Sequence, residues 1–271
     1  MGSILIPVAI LFAIAIVCAI ILTVSNHFFG IKEDETTLAI RDCLPGANCG
    51  ACGYSGCDGY AKALAEGLTD STNLCVPGGD SVAKEIANVL GVEAKDVVEQ
   101  VAYVACNGTC DAVERRYTYQ GHKSCLNANL TYSGDKFCTY ACLGYGDCVK
   151  VCPQNAIEII NGVANVNPKK CIGCGICVRE CPNHIIHLIK DTTRVVVECS
   201  NHDKGALTRK YCSNGCIGCM KCQKTCPNEA IKVIDNLATI DYSLCTGCGA
   251  CVEVCPVHCI HEGNFICGAH F

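Results

Sequence analysis

The chain begins with an uninterrupted apolar stretch, and polar residues become frequent only after it. Residues Ile4 to Val24 carry no charge and consist almost wholly of Ile, Leu, Val, Ala and Phe. A run of about 20 apolar residues suffices to cross a bilayer as one helix. A cleaved signal peptide would have a basic start and a small-residue cleavage site, and neither is evident. The pattern predicts a transmembrane anchor over 1–28.

The next periodic stretch predicts an amphipathic helix. Asp80 suits an N-cap position, and Val82, Ile86, Val89 and Leu90 would then share one face of the helix.

Two short hairpins are predicted further along the chain. Ile157–Ile160 and Val163–Val166 flank Asn161-Gly162, which is a strong signal for a two-residue turn. The same pattern returns 74 residues later, in Ile231–Ile234, Asp235-Asn236 and Leu237–Ile240. The constant offset indicates an internal duplication.

Cysteine usage decides the chemistry. Among 271 residues there are 29 Cys, and the formal net charge is −5. The clustered spacings favour free thiolates that bind metal in a reducing compartment over disulfides, so the domains after the anchor are expected on the cytoplasmic side. No basic block supports nucleic-acid binding. No dinucleotide or phosphate loop and no catalytic constellation is present either, so no catalytic residue is predicted.

Three complete C-x2-C-x2-C-x3-C-P runs have the bacterial ferredoxin spacing. They are Cys171, Cys174, Cys177 and Cys181; Cys216, Cys219, Cys222 and Cys226; and Cys245, Cys248, Cys251 and Cys255. In such runs three thiolates hold one 4Fe–4S cluster, and the fourth Cys ligates the neighbouring cluster. Paired CxxC units also hold structural zinc, but three runs that each end in Cys-Pro favour iron–sulfur clusters.

A different motif lies nearer the N-terminus. Cys49, Cys52, Cys57 and Cys75, interleaved with glycines, have the number and spacing of ligands for one more cluster. Cys43 falls outside this pattern, and it is predicted to be a small buried apolar residue. Cys259 and Cys267, which have no partners at ligand spacing, are predicted to be apolar filler, and Cys18 is predicted to be a small hydrophobic residue within the span.

One run is incomplete. Cys142, Cys148 and Cys152 precede the complete runs, and Tyr145 stands where the duplicated unit has Cys219. Two interpretations remain open. Either Cys138 completes this site, or Cys106, Cys110, Cys125 and Cys138 hold an additional cluster and leave a three-Cys site behind. The first is preferred, although Cys199 and Cys212 repeat Cys125 and Cys138 at the same offset in a unit whose run is complete.

Crossed fourth ligands then give the expected sets. They are Cys49, Cys52, Cys57 and Cys75; Cys171, Cys174, Cys177 and Cys152; Cys142, Cys148, Cys181 and Cys138; Cys216, Cys219, Cys222 and Cys255; and Cys245, Cys248, Cys251 and Cys226. Five clusters are expected, and a sixth would draw on Cys106, Cys110 and Cys125.

The predicted fold is α+β, with a transmembrane helix, a small helical 4Fe–4S domain and two tandem two-cluster ferredoxin-like domains. The domain boundaries are 1–28 for the anchor, 29–100 for the N-terminal 4Fe–4S domain, 101–137 for a Cys-containing connector, and 138–195 and 196–271 for the ferredoxin-like domains.

The apolar anchor, the segment 44–79 with NCGACGYSGC and CVPGG, and the closing CVEVCPVHCI together resemble the B subunit of the Rnf complex. The resemblance implies an electron-relay subunit of an ion-translocating ferredoxin:NAD+ oxidoreductase. It would take electrons from soluble ferredoxin and pass them towards membrane and flavin subunits, coupled to Na+ or H+ movement. Two alternatives are a membrane-anchored polyferredoxin subunit of a hydrogenase, formate or aldehyde oxidoreductase, and a redox-sensing protein with structural clusters.

Overall fold

The computed structural model describes residues 2–29 and 34–263. The helices are α1 (Gly2–Phe29), α2 (Glu35–Cys43), α3 (Cys57–Ala65), α4 (Gly79–Leu90), α5 (Cys125–Leu130), α6 (Asp147–Lys150), α7 (Ile176–Glu180), α8 (Gly205–Tyr211), α9 (Lys221–Thr225) and α10 (Ala250–Glu253), with a 3-10 turn at Val76–Gly78. The strands are β1 (Gln100–Val104), β2 (Ile157–Ile160), β3 (Val163–Val166), β4 (Ile186–Lys190), β5 (Val195–Val197), β6 (Ile231–Ile234), β7 (Leu237–Ile240) and β8 (Ile260–Glu262). Cys267, predicted to be apolar filler, lies outside the described residues.

The N-terminal helix α1 carries exposed apolar side chains, including those from Phe12 to Val24. Over the described residues, no helix meets both the length and the hydropathy that a bilayer crossing requires. The transmembrane anchor therefore stays a prediction.

Helices α2, α3 and α4 form a small bundle around Ile40, Tyr60, Leu64 and Ile86. The amphipathic helix is confirmed, but the prediction of its cap is wrong. Helix α4 begins at Gly79, and the Asp80 carboxylate instead accepts the Val97 N–H at 2.7 Å. That bond fastens the chain leaving the helix, which is a nonlocal role that helix periodicity does not reveal.

One face of α4 is less completely buried than the periodicity predicts. Ile86 is fully buried, Val82 and Leu90 are half-buried, and Val89 is exposed.

Both predicted hairpins are confirmed. Strands β2 and β3 pair antiparallel, as do β6 and β7. The two turn residues in each hairpin have positive φ, at Asn161 (46°) and Gly162 (76°) and at Asp235 (48°) and Asn236 (67°). Two successive left-handed residues match the right-handed twist of the flanking strands, which is why Asn-Gly and Asp-Asn occupy these turns.

Two further antiparallel sheets close the ferredoxin units. Strand β1 pairs with β4, from Gln100↔Lys190 to Val104↔Ile186, and β5 pairs with β8. We call residues 100–190 unit 1 and residues 195–262 unit 2. Strand β1 spans the predicted boundary at 100/101, and its pairing brings the connector 101–137 into unit 1.

The core of each unit contains many thiols beside its aliphatic side chains. Val104, Ile157 and Ile186 are buried in unit 1 among Cys142, Cys148 and other cysteines. In unit 2, Ile231 and Ile260 are buried in the same way. Units this small bury little apolar surface, so ligand binding to the thiols has to supply much of their stability.

Candidate metal centres

In each ferredoxin-type run the cysteine at the third ligand position lies in the first turn of a short helix. These cysteines are Cys148 in α6, Cys177 in α7, Cys222 in α9 and Cys251 in α10. The residues immediately before the helices have left-handed backbone, and they are Gly146, Gly175, Met220 and Gly249. Glycine adopts this conformation without strain, which explains three of the four. The sharp turn brings the third thiol back towards the first.

One quartet of thiols in unit 1 combines three cysteines of a complete run with one cysteine of the run before it. Burial raises the pKa of Cys177 to about 12, and the nearby Cys171, Cys174 and Cys152 add to that rise. The Ala156 N–H donates to the Cys152 sulfur at 3.3 Å. The fourth member comes from the preceding run, as the crossed arrangement of two-cluster ferredoxins predicts.

Unit 2 contains two quartets. Cys226, Cys245, Cys248 and Cys251 line one cavity. At the other quartet, burial raises the pKa of Cys222 to about 11, and its thiol neighbours contribute. Those neighbours are Cys216, Cys219 and Cys255. Both sets match the residues expected from the sequence.

Cys259 contacts the second of these quartets. Its side chain is buried, and its sulfur lies 3.6 Å from the sulfur of Cys255. The Cys259 hydrogen bond outweighs burial and lowers the pKa of Cys255 to about 5 and that of Cys216 to about 6. Cys259 is therefore a hydrogen-bonding neighbour of two candidate ligands, a role that its isolated position in the sequence did not indicate.

The N-terminal bundle presents the quartet expected from its glycine-rich motif. Burial, together with the proximity of Cys57, Cys49 and Cys52, raises the pKa of Cys75 to about 11. The side chain of Asn48 accepts the Cys57 N–H at 2.8 Å and orients the start of α3.

The incomplete run meets a different cysteine from the one preferred on spacing. Cys125, Cys142, Cys148 and Cys181 line one cavity. Burial raises the pKa of Cys148 to about 12, and Cys142 and Cys125 are the first thiols to add to it. Cys138 is not among the residues that line this cavity. Cys125 is the first residue of α5, in the connector. Its position near this cavity could not be predicted from the spacing of cysteines along the sequence.

Tyr145, the residue that replaces a thiol in this run, has a structural role. Its hydroxyl donates to Asp135 at 3.0 Å, and Arg115 donates to the same carboxylate at 2.5 Å. Asp135 is fully buried, and one of its oxygens has no hydrogen-bond partner among the described residues. Burial and the adjacent carboxylate raise the pKa of Tyr145 to about 12.

Cys138 lies in another cavity, whose lining includes Cys106, Cys199 and Cys212. Burial raises the pKa of Cys138 to about 11, and Cys106 and Cys212 contribute to the rise. Cys110, the remaining cysteine of the alternative set, is exposed.

These sites suit four-iron clusters by their donor chemistry. Within residues 2–29 and 34–263, no three His, Cys, Asp or Glu side chains converge closely enough for a single metal ion. The donors are quartets of thiols, of which more than half are buried, and two of the quartets line cavities. Backbone N–H groups point at sulfurs such as those of Cys142 and Cys226. Sets of four cysteines with hydrogen bonds to sulfur are the usual ligands of 4Fe–4S clusters.

Several quartets of thiols, most of them carried by ferredoxin-like units, define an iron–sulfur electron-transfer protein. Three family models match the chain: an Fe-S cluster family over residues 44–77, a 4Fe-4S binding domain over 164–187 and a 4Fe-4S dicluster domain over 211–261. The chain belongs to the family of B subunits of ion-translocating ferredoxin:NAD+ oxidoreductase complexes.

Similarity to these relatives extends over nearly the whole chain. The chain is 41% identical to the B subunit of the Na(+)-translocating ferredoxin:NAD(+) oxidoreductase complex of Acetobacterium woodii, over 96% of this chain and 78% of that protein. Identity to the B subunit of the proton-translocating complex of Clostridium ljungdahlii is 38%, over 96% of this chain and 93% of that protein. Identity to the B subunit of the ion-translocating oxidoreductase complex of Methanosarcina acetivorans is also 38%, over 94% and 97%. The resemblance drawn from the motifs is confirmed.

Proposed function

We propose that this chain relays electrons from reduced ferredoxin, through a series of 4Fe–4S clusters, to other subunits of a membrane redox pump. Bound clusters of this type supply one-electron chemistry over a wide range of potentials. The chain itself would bind and orient the clusters, and it buries more than half of their candidate ligands. Flavin and NAD sites are assigned to partner subunits, in agreement with the absence of their fingerprints from this sequence.

The observation that carries the proposal is the adjacency of thiol quartets along the chain. Cys49 of the N-terminal quartet is close enough to Cys174 of unit 1 to help raise its pKa, after the larger effect of burial. Arg179 also donates to the backbone carbonyl of Cys49. An electron on a cluster bound by the N-terminal quartet would therefore have a second cluster nearby, in unit 1, to which it can transfer.

We assign five clusters to quartets of thiols, with one change from the sets expected on spacing. The incomplete run takes Cys125 as its fourth ligand. The assigned sets are Cys49, Cys52, Cys57 and Cys75; Cys152, Cys171, Cys174 and Cys177; Cys125, Cys142, Cys148 and Cys181; Cys216, Cys219, Cys222 and Cys255; and Cys226, Cys245, Cys248 and Cys251.

Residues 1–28 are proposed to anchor the subunit as a single span, with the clusters on the cytoplasmic side. The support is the uncharged stretch Ile4–Val24 and the need of cluster ligands for a reducing compartment. Deletion of 1–28 is expected to release the chain from membranes in cell fractions. Retention of the truncated chain on membranes that lack all other subunits would contradict the anchor.

The relay is tested with the membrane complex purified anaerobically, a two-cluster ferredoxin as donor and NAD+ as acceptor. Cys177→Ala is expected to stop NAD+ reduction, because it removes a thiol from a quartet in the proposed path. Cys43→Ala is the matched control, since Cys43 belongs to no quartet and its thiol donates to the Ala39 carbonyl.

Undiminished NAD+ reduction in Cys177→Ala would overturn the relay through unit 1. Co-purification with a molybdenum, tungsten or nickel–iron subunit, together with inactivity towards NAD+, would favour the hydrogenase or formate and aldehyde oxidoreductase alternative.

A further inference from the structure

We propose that Cys106, Cys138, Cys199 and Cys212 ligate a sixth 4Fe–4S cluster between the two ferredoxin units. None of the ferredoxin-type runs contains these residues. Three of the four are buried, Cys199 is half-buried, and all four line one cavity. The role of this site in electron transfer rests on the proposed function, whereas its capacity to bind a cluster does not.

The internal duplication explains why the site needs both units. Cys106 lies two residues after β1, and Cys199 lies two residues after β5, and each strand closes its own unit. Cys138 and Cys212 each lie four residues before the first cysteine of a run, namely Cys142 and Cys216. Each unit thus contributes an equivalent pair of thiols to one shared site.

Hydrogen bonds support the equivalence of Cys106 and Cys199. The sulfur of Cys106 accepts N–H groups from Gly108 and Cys142, both at 3.3 Å. The sulfur of Cys199 accepts N–H groups from the residues at the corresponding positions, Asn201 at 3.5 Å and Cys216 at 3.3 Å. The sequence offset had paired Cys199 with Cys125 instead. The connector lengthens unit 1 between Cys106 and Cys138, and this hides the true correspondence.

Amide donors aimed at sulfur are the pattern found at the other quartets. Ala164 and Ala230 donate to the sulfurs of Cys142 and Cys226 in the same way. At the shared site a side chain adds a further donor, because the buried Asn201 amide donates to the Cys138 sulfur at 3.3 Å. These bonds stabilise thiolates, the form in which cysteine binds iron.

A buried lysine supplies independent evidence of negative charge nearby. Lys136 is 1% exposed, and its amino group donates to the carbonyls of Gly108 (2.9 Å) and Gly162 (3.1 Å). Among the described residues no carboxylate lies within ion-pair distance of it. Burial of an ammonium is costly without a compensating charge.

Thiolates are the nearby candidates for that charge. The Lys136 ammonium is near enough to Cys142 and to Cys212 to interact electrostatically with both side chains. Thiolate-bound clusters on either side would provide the missing counter-charge.

The location connects the two units. The sulfurs of the shared site accept the backbone N–H groups of Cys142, a candidate ligand in unit 1, and of Cys216, a candidate ligand in unit 2. The chain of adjacent quartets would then continue from the N-terminal bundle through unit 1 to unit 2 without a gap at the boundary.

The test uses the full-length chain produced anaerobically, with iron and acid-labile sulfide counted per chain. Cys199→Ala and Cys212→Ala are each expected to lose about four iron and about four sulfide relative to the wild type. The double variant should lose no more than either single variant, because both thiols belong to one cluster. Cys110→Ala is the matched control from the alternative set, and it should retain the full content.

Full iron in Cys199→Ala and Cys212→Ala, or a loss in Cys110→Ala alone, would overturn the proposal. Native mass spectrometry of the wild-type chain gives a reading that does not depend on variant folding. The measured mass should correspond to six clusters, that is, the five assigned above and the one proposed here. A mass that corresponds to five clusters would refute the sixth cluster. If the Cys199→Ala and Cys212→Ala variants lose iron but oxidise reduced ferredoxin at the wild-type rate, the cluster site is supported and only its role in the relay is refuted.

Discussion

At the scale of single residues, Tyr145 shows how one substitution redirects metal ligation. The ferredoxin spacing calls for a thiol at this position, and the tyrosine hydroxyl instead donates to the buried Asp135. In the proposed assignment the missing donor is replaced by Cys125, which is distant in sequence but lines the same cavity as Cys142, Cys148 and Cys181. Counting residues along the chain identified the vacancy, but it could not point to a cysteine that only folding brings near.

Replacement of Cys125 by Ala is expected to remove one cluster, about four iron per chain, because it deletes the fourth thiol of this quartet. Iron and sulfide analysis with low-temperature electron paramagnetic resonance measures the loss. The double variant C125A/Y145C restores the ferredoxin spacing, and it should recover the iron. A single variant with wild-type iron content would disprove the assignment.

Cys259→Ala should lower the reduction potential of the cluster assigned to Cys216, Cys219, Cys222 and Cys255. The reason is that the variant loses a hydrogen bond that favours extra negative charge on the cluster. A potentiometric titration followed by electron paramagnetic resonance measures this. Cys259→Ser keeps a donor and should remain closer to the wild type. An identical midpoint reduction potential in the wild type and both variants would show that the contact between Cys259 and Cys255 does not influence the potential of this cluster.

At the scale of elements, predictions succeeded where the signal was local. The two hairpins follow from turn residues that favour positive φ, and both formed where expected. The β1–β4 and β5–β8 pairings join segments far apart in sequence, and short strands carry no information about their partners. For the same reason the role of Asp80 was missed, since its partner Val97 lies beyond the helix.

The ion pair between Arg115 and Asp135 joins two parts of the connector 101–137. Arg115→Ala is expected to cost about 3 kcal/mol in the free energy of unfolding, since it leaves a buried carboxylate without its cation. Chemical denaturation of the cluster-loaded chain measures the change.

Lys62→Ala serves as the comparison, because it breaks the exposed pair with Glu66 and should cost less than about 1 kcal/mol. Equal stability of the two variants would contradict a structural role for the Arg115 pair.

At the scale of the whole molecule, thiols take much of the space that aliphatic side chains occupy in other cores. Removal of iron by an anaerobic chelator is therefore expected to abolish cooperative thermal unfolding of the ferredoxin units, because ligand binding contributes folding free energy. Circular dichroism before and after treatment measures this, and reconstitution with iron and sulfide should restore the transition. A chelated chain with an unchanged melting curve would show that the units fold without clusters.

The sequence by itself determined the iron–sulfur chemistry, the family and most of the candidate ligand sets. Each depends on fixed spacings within a few residues, and backbone geometry converts such spacings directly into a local arrangement of thiols. Only the tertiary structure decided the neighbours of Cys125, Cys138 and Cys199. Their cavities form where strands and loops from distant parts of the chain pack together, and the connector breaks the regular offset between the units. Nonlocal packing has no fixed spacing in the sequence, so the group of thiols shared by the two ferredoxin units became visible only in the folded chain.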